Sequence, residues 1–503
     1  MLRKTRIIVA SIIFVLITLL FLDFTGILHQ WFGWLAKIQL IPAILALNFG
    51  IISFLLILTF AFGRLYCSVI CPLGVFQDII SRIGKRSKKL PYSYSIAITW
   101  LRYLTLILFI VAIILGINTI YSVLDPYSAY GRIASGFFAP LYQLGNNLIA
   151  DFSERINSYA FYTTEIWTKN FFVLGTAIAT FITVFILAWR NGRTYCNTIC
   201  PVGTILGLIS KYSLFKPIIN TANCNSCGVC ARNCKASCID SKNHKIDYSR
   251  CVTCMNCINK CSHNAIEYTF AYKKNEIPSL ESVEANSTQV TTKDKSSRRN
   301  FFTIGAGLAA TSILKAQEMK VDGGFVDLED KISPDKETII APPGARSIRN
   351  LTKNCTACQL CVSVCPNHVL QPSSKLDRFM QPQMSFERGY CRPECTKCSE
   401  VCPTGAINLI TTADKSAIQI GHAVWVKERC IVLRDEVSCN TCERKCPVNA
   451  IHMVLSDPNN PESLKTPIVN DERCIGCGAC ENLCPSRPLS AIYVEGHVMH
   501  RIV

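Results

Sequence analysis

The sequence predicts an α-helical membrane domain of four spans with two internal repeats, followed by two small α+β domains organised around cysteine clusters. Three observations support this prediction. Long apolar stretches are confined to about the first 190 of 503 residues, which is typical of a membrane part followed by a soluble part. The 29 cysteines fall mostly into tight groups of four. One motif also occurs twice, each time at the end of an apolar stretch.

Four apolar stretches are long enough to cross a membrane as helices, and we predict spans at 7–22, 43–62, 96–120 and 170–189. Basic residues are concentrated after the second stretch, whereas the loops on the opposite side contain few of them. By the positive-inside rule, the amino terminus and the segment after the fourth span lie in the cytoplasm. We therefore expect a multi-pass protein of the bacterial inner membrane.

The repeated motif reads GRLYCSVICPLG at 63–74 and GRTYCNTICPVG at 192–203. Each copy follows an even-numbered predicted span, so the symmetry of two similar halves would bring their cysteines together at the cytoplasmic surface. A converging set would form a metal or cluster site. The alternative is a pair of reduced Cys-Pro turns with a structural role, and the sequence leaves both interpretations open. The cysteines are Cys67, Cys71, Cys196 and Cys200.

Two groups with the spacing C-x2-C-x2-C-x3-C follow the fourth predicted span. In bacterial ferredoxins, three such thiolates bind one [4Fe–4S] cluster and the fourth binds the neighbouring cluster. We therefore predict a cytoplasmic two-cluster, ferredoxin-like domain at 216–270, after a membrane domain at 1–215. The two predicted ligand sets are Cys224, Cys227, Cys230 and Cys261, and Cys234, Cys251, Cys254 and Cys257.

This domain departs from ordinary ferredoxins in two ways. The proline that usually follows the fourth cysteine is Lys235 in one motif and Ser262 in the other. Cys238 is an extra thiol, at a position where related segments of this chain have Ala265 and Ala450. We predict that Cys238 is a small buried residue and not a ligand.

A polar linker without periodicity is predicted at 271–297. It leads into the segment SSRRNFFTIGAG, in which two arginines precede a short, weakly apolar run. This pattern is typical of a twin-arginine export signal, and we assign 298–320 to such a signal, retained as an anchor. A fifth span, or a basic patch before an amphipathic anchor, is the alternative.

A second ferredoxin-like domain, periplasmic and with four clusters, is predicted at 321–503. Its four cysteine groups all end in Cys-Pro; the first and last have ferredoxin spacing, and the middle two have wider gaps. Such clusters are built in the cytoplasm, so this domain must cross the membrane folded, which accounts for an internal export signal. The predicted ligands are Cys355, Cys358, Cys361, Cys365, Cys391, Cys395, Cys398, Cys402, Cys430, Cys439, Cys442, Cys446, Cys474, Cys477, Cys480 and Cys484.

The cofactors that these motifs predict also change how the net charge is interpreted. Six [4Fe–4S] clusters of about −2 each would reduce the formal charge of +17 to about +5, so the basic composition does not indicate nucleic-acid binding. None of the eight histidines lies in a predicted span and no C-x-x-C-H motif occurs, so we expect no haem. The expected load is six [4Fe–4S] clusters, with a seventh metal or cluster site left open at the repeat.

These motifs resemble two components of periplasmic nitrate reductase systems. Residues 1–270 are similar to the NapH-type membrane quinol dehydrogenase component, with its four spans, paired Cys-x3-Cys-Pro motifs and ferredoxin tail. Residues 296–503 resemble its ferredoxin-type partner of the NapG or MauM type, which has an export signal and four cluster motifs. The fusion of the two parts and the two missing prolines depart from that pattern.

The resemblance implies a relay between the quinol pool, or cytoplasmic donors, and a periplasmic reductase or dehydrogenase subunit. Quinol would be its substrate, and enzymatic activity would be limited to quinol oxidation. The alternative function is a maturation factor for a periplasmic or membrane metalloenzyme, and a third is a redox-sensing regulator. The sixteen cysteines of the last domain favour the relay, because assembly hardly needs a long series of clusters.

The export signal is tested by replacing Arg298 and Arg299 with lysine. Positive-inside anchoring responds to charge, whereas twin-arginine recognition distinguishes the planar guanidinium from an ammonium. We expect protease added to spheroplasts to digest residues 340–503 of the wild type but not of the double-lysine variant. The 224–261 segment is the internal control and is protected in both. Digestion of the variant's carboxyl-terminal half would indicate an ordinary fifth span instead.

Overall fold

The computed structural model describes residues 2–23, 26–88, 92–156, 158, 161, 163, 171–272, 321–322, 326–327 and 329–502. The predicted export signal and nearly all of the predicted linker lie outside these residues.

The amino-terminal part of the chain is helical. Its elements are α1 (Leu2–Leu22), α2 (Ile27–Phe32), α3 (Trp34–Lys37), α4 (Leu40–Leu45), α5 (Phe49–Phe62), α6 (Leu65–Val69), α7 (Pro72–Lys88), α8 (Thr99–Leu115), α9 (Asn118–Leu124), α10 (Pro126–Ile133), a π-helix (Ala134–Phe138), α11 (Ala139–Arg155), α12 (Phe171–Asn191), α13 (Thr194–Thr198) and α14 (Pro201–Ser210).

Two of these helices, α1 and α12, are long and apolar enough to cross a membrane, with 21 residues each. The predicted spans at 43–62 and 96–120 are instead represented by α5 and α8, which have 14 and 17 residues. At about 1.5 Å per residue, α5 and α8 extend about 21 and 26 Å, less than the roughly 30 Å of a hydrocarbon core. The four-span architecture is therefore not confirmed.

Local backbone signals shorten both helices relative to the hydropathy pattern. Leu47 has a positive φ of 52°, and the Asn48 side chain accepts a hydrogen bond from the Ile51 N–H, so α5 begins at Phe49. Gly116 has a positive φ of 72° and ends α8. An asparagine N-cap fixes where a helix begins, and a left-handed glycine fixes where it ends. Both act irrespective of the hydrophobicity of the surrounding residues.

The two copies of the repeat adopt the same sequence of elements. In each, a long apolar helix leads into a short helix that contains the first cysteine, and proline starts the next helix directly after the second cysteine. Proline suits this first helical position because its missing N–H would have no partner there. The two halves exchange packing partners, since α7 packs on α12 and α14 packs on α5.

A small α+β unit, here called the inner unit, follows α14. Strand β1 (Phe215–Ile219) pairs antiparallel with β4 (Ile266–Phe270), and β2 (Ile239–Asp240) pairs with β3 (Lys245–Ile246). Two short helices, α15 (Val229–Arg232) and α16 (Asn256–Lys260), lie between the strands in the chain.

The carboxyl-terminal residues from 329 onward form a second α+β unit, here called the outer unit. A separate pair, β5 (Val321–Asp322) and β6 (Val326–Asp327), precedes it. Its sheets are antiparallel pairs: β7 (Leu370–Pro372) with β8 (Pro382–Met384), β9 (Ile418–Trp425) with β12 (Ile492–Ile502), and β10 (Ile451–Leu455) with β11 (Lys465–Val469). Its α-helices are Ile348–Asn354, Leu360–Ser363, Lys397–Val401, Thr412–Ala417, Ile431–Arg434, Thr441–Arg444 and Ala479–Leu483.

Candidate functional site

The structure brings together the four cysteines of the repeat, here called the repeat site. Cys67, Cys71, Cys196 and Cys200 are each at most 4% exposed. Burial raises the pKa of Cys71 and of Cys200, and the neighbouring Cys196 thiol raises both further. Four buried thiols close together are suited to a positively charged iron core, which stabilises thiols as thiolates.

Two arginines cross between the repeat halves at this site. The Arg64 Nη2 donates to the Cys196 carbonyl at 3.2 Å, and the Arg193 Nη1 donates to the Cys67 carbonyl. Each arginine belongs to one copy of the motif and contacts the cysteine turn of the other copy. Both side chains are fully buried. The crossed contacts explain why the arginine occupies the same place in both copies.

The last glycine of each motif copy is required by close packing. A Cβ atom on Gly74 would lie 2.3 Å from the Cys67 carbonyl oxygen, and one on Gly203 would lie 2.2 Å from that of Cys196. Neither backbone atom can move freely, because each is held by an arginine. Any side chain at these positions would therefore displace the cysteine-containing turn.

Arg64 carries a buried charge for which the described residues provide no carboxylate partner. Its Nη1 donates to the Asn197 Oδ1 at 2.9 Å and to the Ser249 carbonyl at 3.0 Å, and its Nη2 lies 3.8 Å from the Cys67 Sγ. A buried cation is costly unless an anion compensates it. A thiolate-bound [4Fe–4S] cluster of about −2 would compensate it. The residues of the repeat site thus fit such a cluster.

No three His, Cys, Asp or Glu side chains in the described part of the chain are arranged to bind a single metal ion. A structural zinc site would require four thiolates within about 2.3 Å of one ion. The thiolates of a four-iron cluster bind different iron atoms and therefore lie farther apart.

One cavity in the inner unit is lined by Cys234, Cys251, Cys254 and Cys257, which form one of the two predicted ligand sets. Cys234 comes from the first motif and the other three from the second, so the cavity agrees with the exchange of the fourth ligand. Cys238 is 1% exposed and lines the same cavity, with its Sγ 3.5 Å from the Cys234 Sγ. The alignment of Cys238 with Ala265 and Ala450 gave no indication of this contact with Cys234.

The second predicted set of the inner unit is more exposed. The pKa of Cys230 is raised by burial and by the thiols of Cys224 and Cys227, which places these three side chains close together. The Asn225 Nδ2 lies 2.8 Å from the His263 Nε2, and this contact joins their loop to the segment that follows Cys261.

Lys235, which replaces the usual proline, connects the inner unit to the helical part. Its ammonium forms an ion pair with Asp78 on α7, and its carbonyl accepts the backbone N–H of Arg193 at 2.8 Å. The Arg193 Nε also donates to Asp78, at 2.6 Å. These two cations overcome the effect of burial and hold the pKa of the Asp78 carboxyl well below its usual range. The lysine that replaces the usual proline therefore helps to hold the inner unit against the helical part.

In the outer unit, the fourth cysteine of each of the first two motifs lies near the first three cysteines of the other motif. Burial raises the pKa of Cys361, and the thiols of Cys355, Cys358 and Cys402 raise it further. A separate cavity is lined by the four remaining cysteines of these motifs. They are Cys365, Cys391, Cys395 and Cys398.

The last two motifs follow the same rule. Burial, and then the thiols of Cys439 and Cys484, raise the pKa of Cys442 to about 12. Cys477 likewise has a pKa raised to about 12 by burial, Cys474 and Cys446. Cys484 therefore lies near Cys439 and Cys442, and Cys446 lies near Cys474 and Cys477. The sequence alone did not indicate this pairing.

The four sets of the outer unit lie in series. Cys398 of the second set is close enough to raise the pKa of Cys361 in the first, after the effects of burial and nearer thiols. The Cys391 N–H donates to the Cys477 carbonyl at 2.9 Å, which joins the second set to the group around Cys474 and Cys477. The Cys442 thiol, in the remaining group, raises the pKa of Cys480 after the larger effects of burial and of Cys477 and Cys474.

The first set of the outer unit lies directly on α9 and α10. The Tyr121 hydroxyl contacts the Cys355 carbonyl at 3.2 Å, and the Ser128 hydroxyl donates to the Thr356 carbonyl at 2.6 Å. A Cβ atom on Gly131 would lie 2.2 Å from the Cys358 carbonyl oxygen, so only glycine permits this approach.

A cavity of about 210 Å³, here called the outer cavity, lies where the outer unit meets the helical part. Its walls include Phe21 at the end of α1, Val173 at the start of α12, and residues of the π-helix. Single π-helical turns are frequent at functional sites. Polar groups also reach the cavity, and among them are Arg132, Gln359, Ser363 and His368.

Comparisons with known proteins identify the class. The family described as "4Fe-4S binding domain" matches residues 45–91 and 173–221, which include both copies of the repeat, and a second family of that description matches 244–267. The family described as "4Fe-4S dicluster domain" matches 354–406 and 437–487. No solved structure matches the chain.

Three curated relatives share modest identity with this chain. The YccM protein of Escherichia coli is 27% identical over 48% of this chain and 59% of its own length. The methylamine utilization ferredoxin-type protein MauM of Methylobacillus flagellatus is 32% identical over 29% of this chain and 64% of its own. The ferredoxin-type protein NapF of Escherichia coli is 28% identical over 31% of this chain and 87% of its own. The chain thus spans about three fifths of YccM and of MauM.

The motifs, the fold and these matches define an iron–sulfur electron transport protein of the ferredoxin type, with several 4Fe–4S binding domains. The predicted class and cofactor type are confirmed at that level. The individual ligand assignments, the number of clusters and the part played by the membrane remain proposals.

Asp78→Asn tests the ion pairs that hold the inner unit. The change leaves Lys235 and Arg193 buried without their counter-charge, and breaking such a pair costs about 3–5 kcal/mol. We expect the inner unit of the variant to be cleaved faster in limited proteolysis and to lose its clusters at lower temperature. Glu267→Gln, at an exposed position on β4 of the same unit, is the control and should behave as the wild type. Equal resistance of both variants would contradict a docking role for Asp78.

Proposed function

We propose that the chain is a membrane-bound relay that moves electrons between the quinol pool, or cytoplasmic donors, and a periplasmic redox enzyme. In this proposal the inner unit is cytoplasmic, the outer unit is periplasmic after twin-arginine export, and each of the six ferredoxin-type sets binds one [4Fe–4S] cluster. The observation that carries the proposal is the serial arrangement of the cysteine sets on both sides of the helical part.

The gap between the repeat site and the outer unit is bridged by buried polar groups. Burial raises the pKa values of Tyr66, Tyr195 and Cys358, and the Asp125 carboxylate adds to each rise. One buried carboxylate is therefore close to tyrosines of both repeat copies and to the first set of the outer unit. We propose that electrons pass between the repeat site and that set.

The repeat site completes the series if it holds a seventh cluster. Three features support this assignment: four buried thiols, two buried guanidinium groups beside them, and the match of both motif copies to a 4Fe–4S binding family. The cluster would be held by Cys67, Cys71, Cys196 and Cys200. When bound, it would accept and release one electron at a time.

Iron content tests the seventh cluster. Seven [4Fe–4S] clusters require about 28 iron atoms per chain, and removal of one ligand set leaves about 24. We expect anaerobically purified wild type to contain the first amount and Cys196→Ala the second. Cys238→Ala is the matched control, because it also removes a buried thiol, and it should keep all its iron. If the wild type contains only enough iron for six clusters, the repeat cysteines form structural turns and bind no cluster.

The outer cavity supports quinol as the electron donor. It combines apolar walls with a few polar groups, which is the usual character of a small-molecule site. It lies near the outer ends of α1 and α12 and is lined by Gln359, Val362 and Ser363, which flank the predicted ligand Cys361. Oxidation of one quinol there would yield quinone, two protons and two electrons, and the electrons would reduce two [4Fe–4S]²⁺ clusters by one electron each.

Ala139→Phe tests the cavity, because it adds a ring to the cavity wall at the start of α11. We expect about tenfold slower bleaching of the clusters by a short-chain quinol, equivalent to about 1.4 kcal/mol, and unchanged bleaching by dithionite. Leu148→Phe is the control on the same helix, because its side chain is exposed. Normal quinol reduction of Ala139→Phe would place the quinol elsewhere, and a wild type that no quinol reduces would contradict quinol as the donor.

A further inference from the structure

A second cavity, of about 300 Å³ and here called the basic cavity, lies between the helical part and the inner unit. Helices α1 and α7 line it from the helical part, and residues of α16 and of the segment after α15 line it from the inner unit. The proposed function does not use this cavity. Six basic residues line it: Arg3, Arg6, Arg82, Lys85, Lys235 and Lys260.

The positive charge of the basic cavity is largely uncompensated within the described residues. Asp78 is the one acidic residue among those that line it there. The Asp78 carboxylate already forms ion pairs with Arg6 at 3.6 Å, with Arg193 at 2.6 Å and with Lys235. Three cations thus share a single anion, and none of its charge remains for the other basic groups.

Two of the other basic groups, Arg3 and Lys85, have neutral partners. The Arg3 Nε donates to the Asn256 Oδ1 at 3.0 Å, and the Lys85 Nζ donates to the Asn233 Oδ1 at 2.9 Å. Partial burial lowers the pKa of Lys85, and the nearby Lys260 ammonium lowers it further. Cations that disfavour one another's charge are stabilised by an anion placed among them.

Arg6 provides a separate indication of a missing ligand. Its side chain is 9% exposed, and its Nε atom is buried without a hydrogen-bond partner. A buried donor without an acceptor costs about 1–3 kcal/mol in a folded protein. An anion in the basic cavity could accept from it.

Part of the wall of the basic cavity is apolar. It includes Ile7 and Ala10 on α1 and Ile79 and Ile83 on α7. Ile79 and Ile83 are 41% and 54% exposed, so this wall is open to the surroundings. A free phosphate ion or a nucleotide has no need of such a surface, whereas a lipid acyl chain would cover it. Cationic and apolar walls side by side are the arrangement by which interfacial helices bind anionic lipids.

We propose that the basic cavity binds the phosphate headgroup of an anionic phospholipid, with an acyl chain along the Ile79 and Ile83 wall. The proposal rests on the membrane location that is part of the proposed function. The bound phosphate relieves repulsion among basic groups contributed by both the helical part and the inner unit. It therefore holds the inner unit against α7 in addition to the ion pairs of Asp78.

The test uses the full chain with its clusters, purified in detergent and depleted of lipid. Native mass spectrometry measures binding of dioleoyl phosphatidylglycerol and of dioleoyl phosphatidylcholine to the wild type and to a variant with Arg82→Gln and Lys85→Gln. Because each basic group near an anionic headgroup contributes about a factor of five, we expect about thirtyfold weaker phosphatidylglycerol binding by the variant. The control, Lys211→Gln with Lys242→Gln, removes the same charge from exposed positions of the chain and should bind as the wild type.

Three results would overturn the proposal. Equal affinity of the wild type for the two lipids would show that the headgroup charge is not recognised. Equal affinity of the Arg82/Lys85 variant and the wild type would place the lipid elsewhere. Displacement of phosphatidylglycerol by millimolar inorganic phosphate would assign the cavity to a soluble anion. Membrane fractionation distinguishes the underlying function: recovery of the chain in the soluble fraction would contradict the membrane relay itself.

Discussion

The buried arginines of the repeat, Arg64 and Arg193, are the constraint on which the arrangement of the sites depends. Each crosses from its own motif copy to the cysteine turn of the other, so neither half can form its turn alone. Arg193 also binds Asp78, which in turn binds Lys235 of the inner unit. One network of charges thus sets the position of four cysteines and joins them to the neighbouring ferredoxin-type unit.

The buried cations outnumber the carboxylates available to them, so bound anionic ligands are needed to balance their charge. Arg64 has no carboxylate partner among the described residues, and Asp78 serves three cations at once. Thiolate-bound clusters carry net negative charge, as do phospholipid headgroups at the cytoplasmic surface. The formal charge of +17 is in this sense the charge of a protein without its ligands.

The hydropathy pattern predicted the positions of the apolar helices better than their lengths. It located α1 and α12 well, because no strong capping signal interrupts those stretches. It merged α4 with α5, and it continued α8 through Gly116, because a hydrophobicity average does not register a cap or a positive φ. The same limit applies to Lys235. Its departure from the ferredoxin pattern was visible in the sequence, but its reason, an ion pair with residue 78, was not.

The sequence by itself determined the cofactor class, because cysteine spacing within a loop is a local property that cluster geometry constrains directly. It also indicated the exchanged fourth ligand of the inner unit and the existence of two similar repeat copies. Only the tertiary structure decided which cysteine motifs of the outer unit lie side by side and where the cavities lie. Those features depend on contacts between residues distant in sequence, such as Cys391 with Cys477, and local spacing carries no information about them.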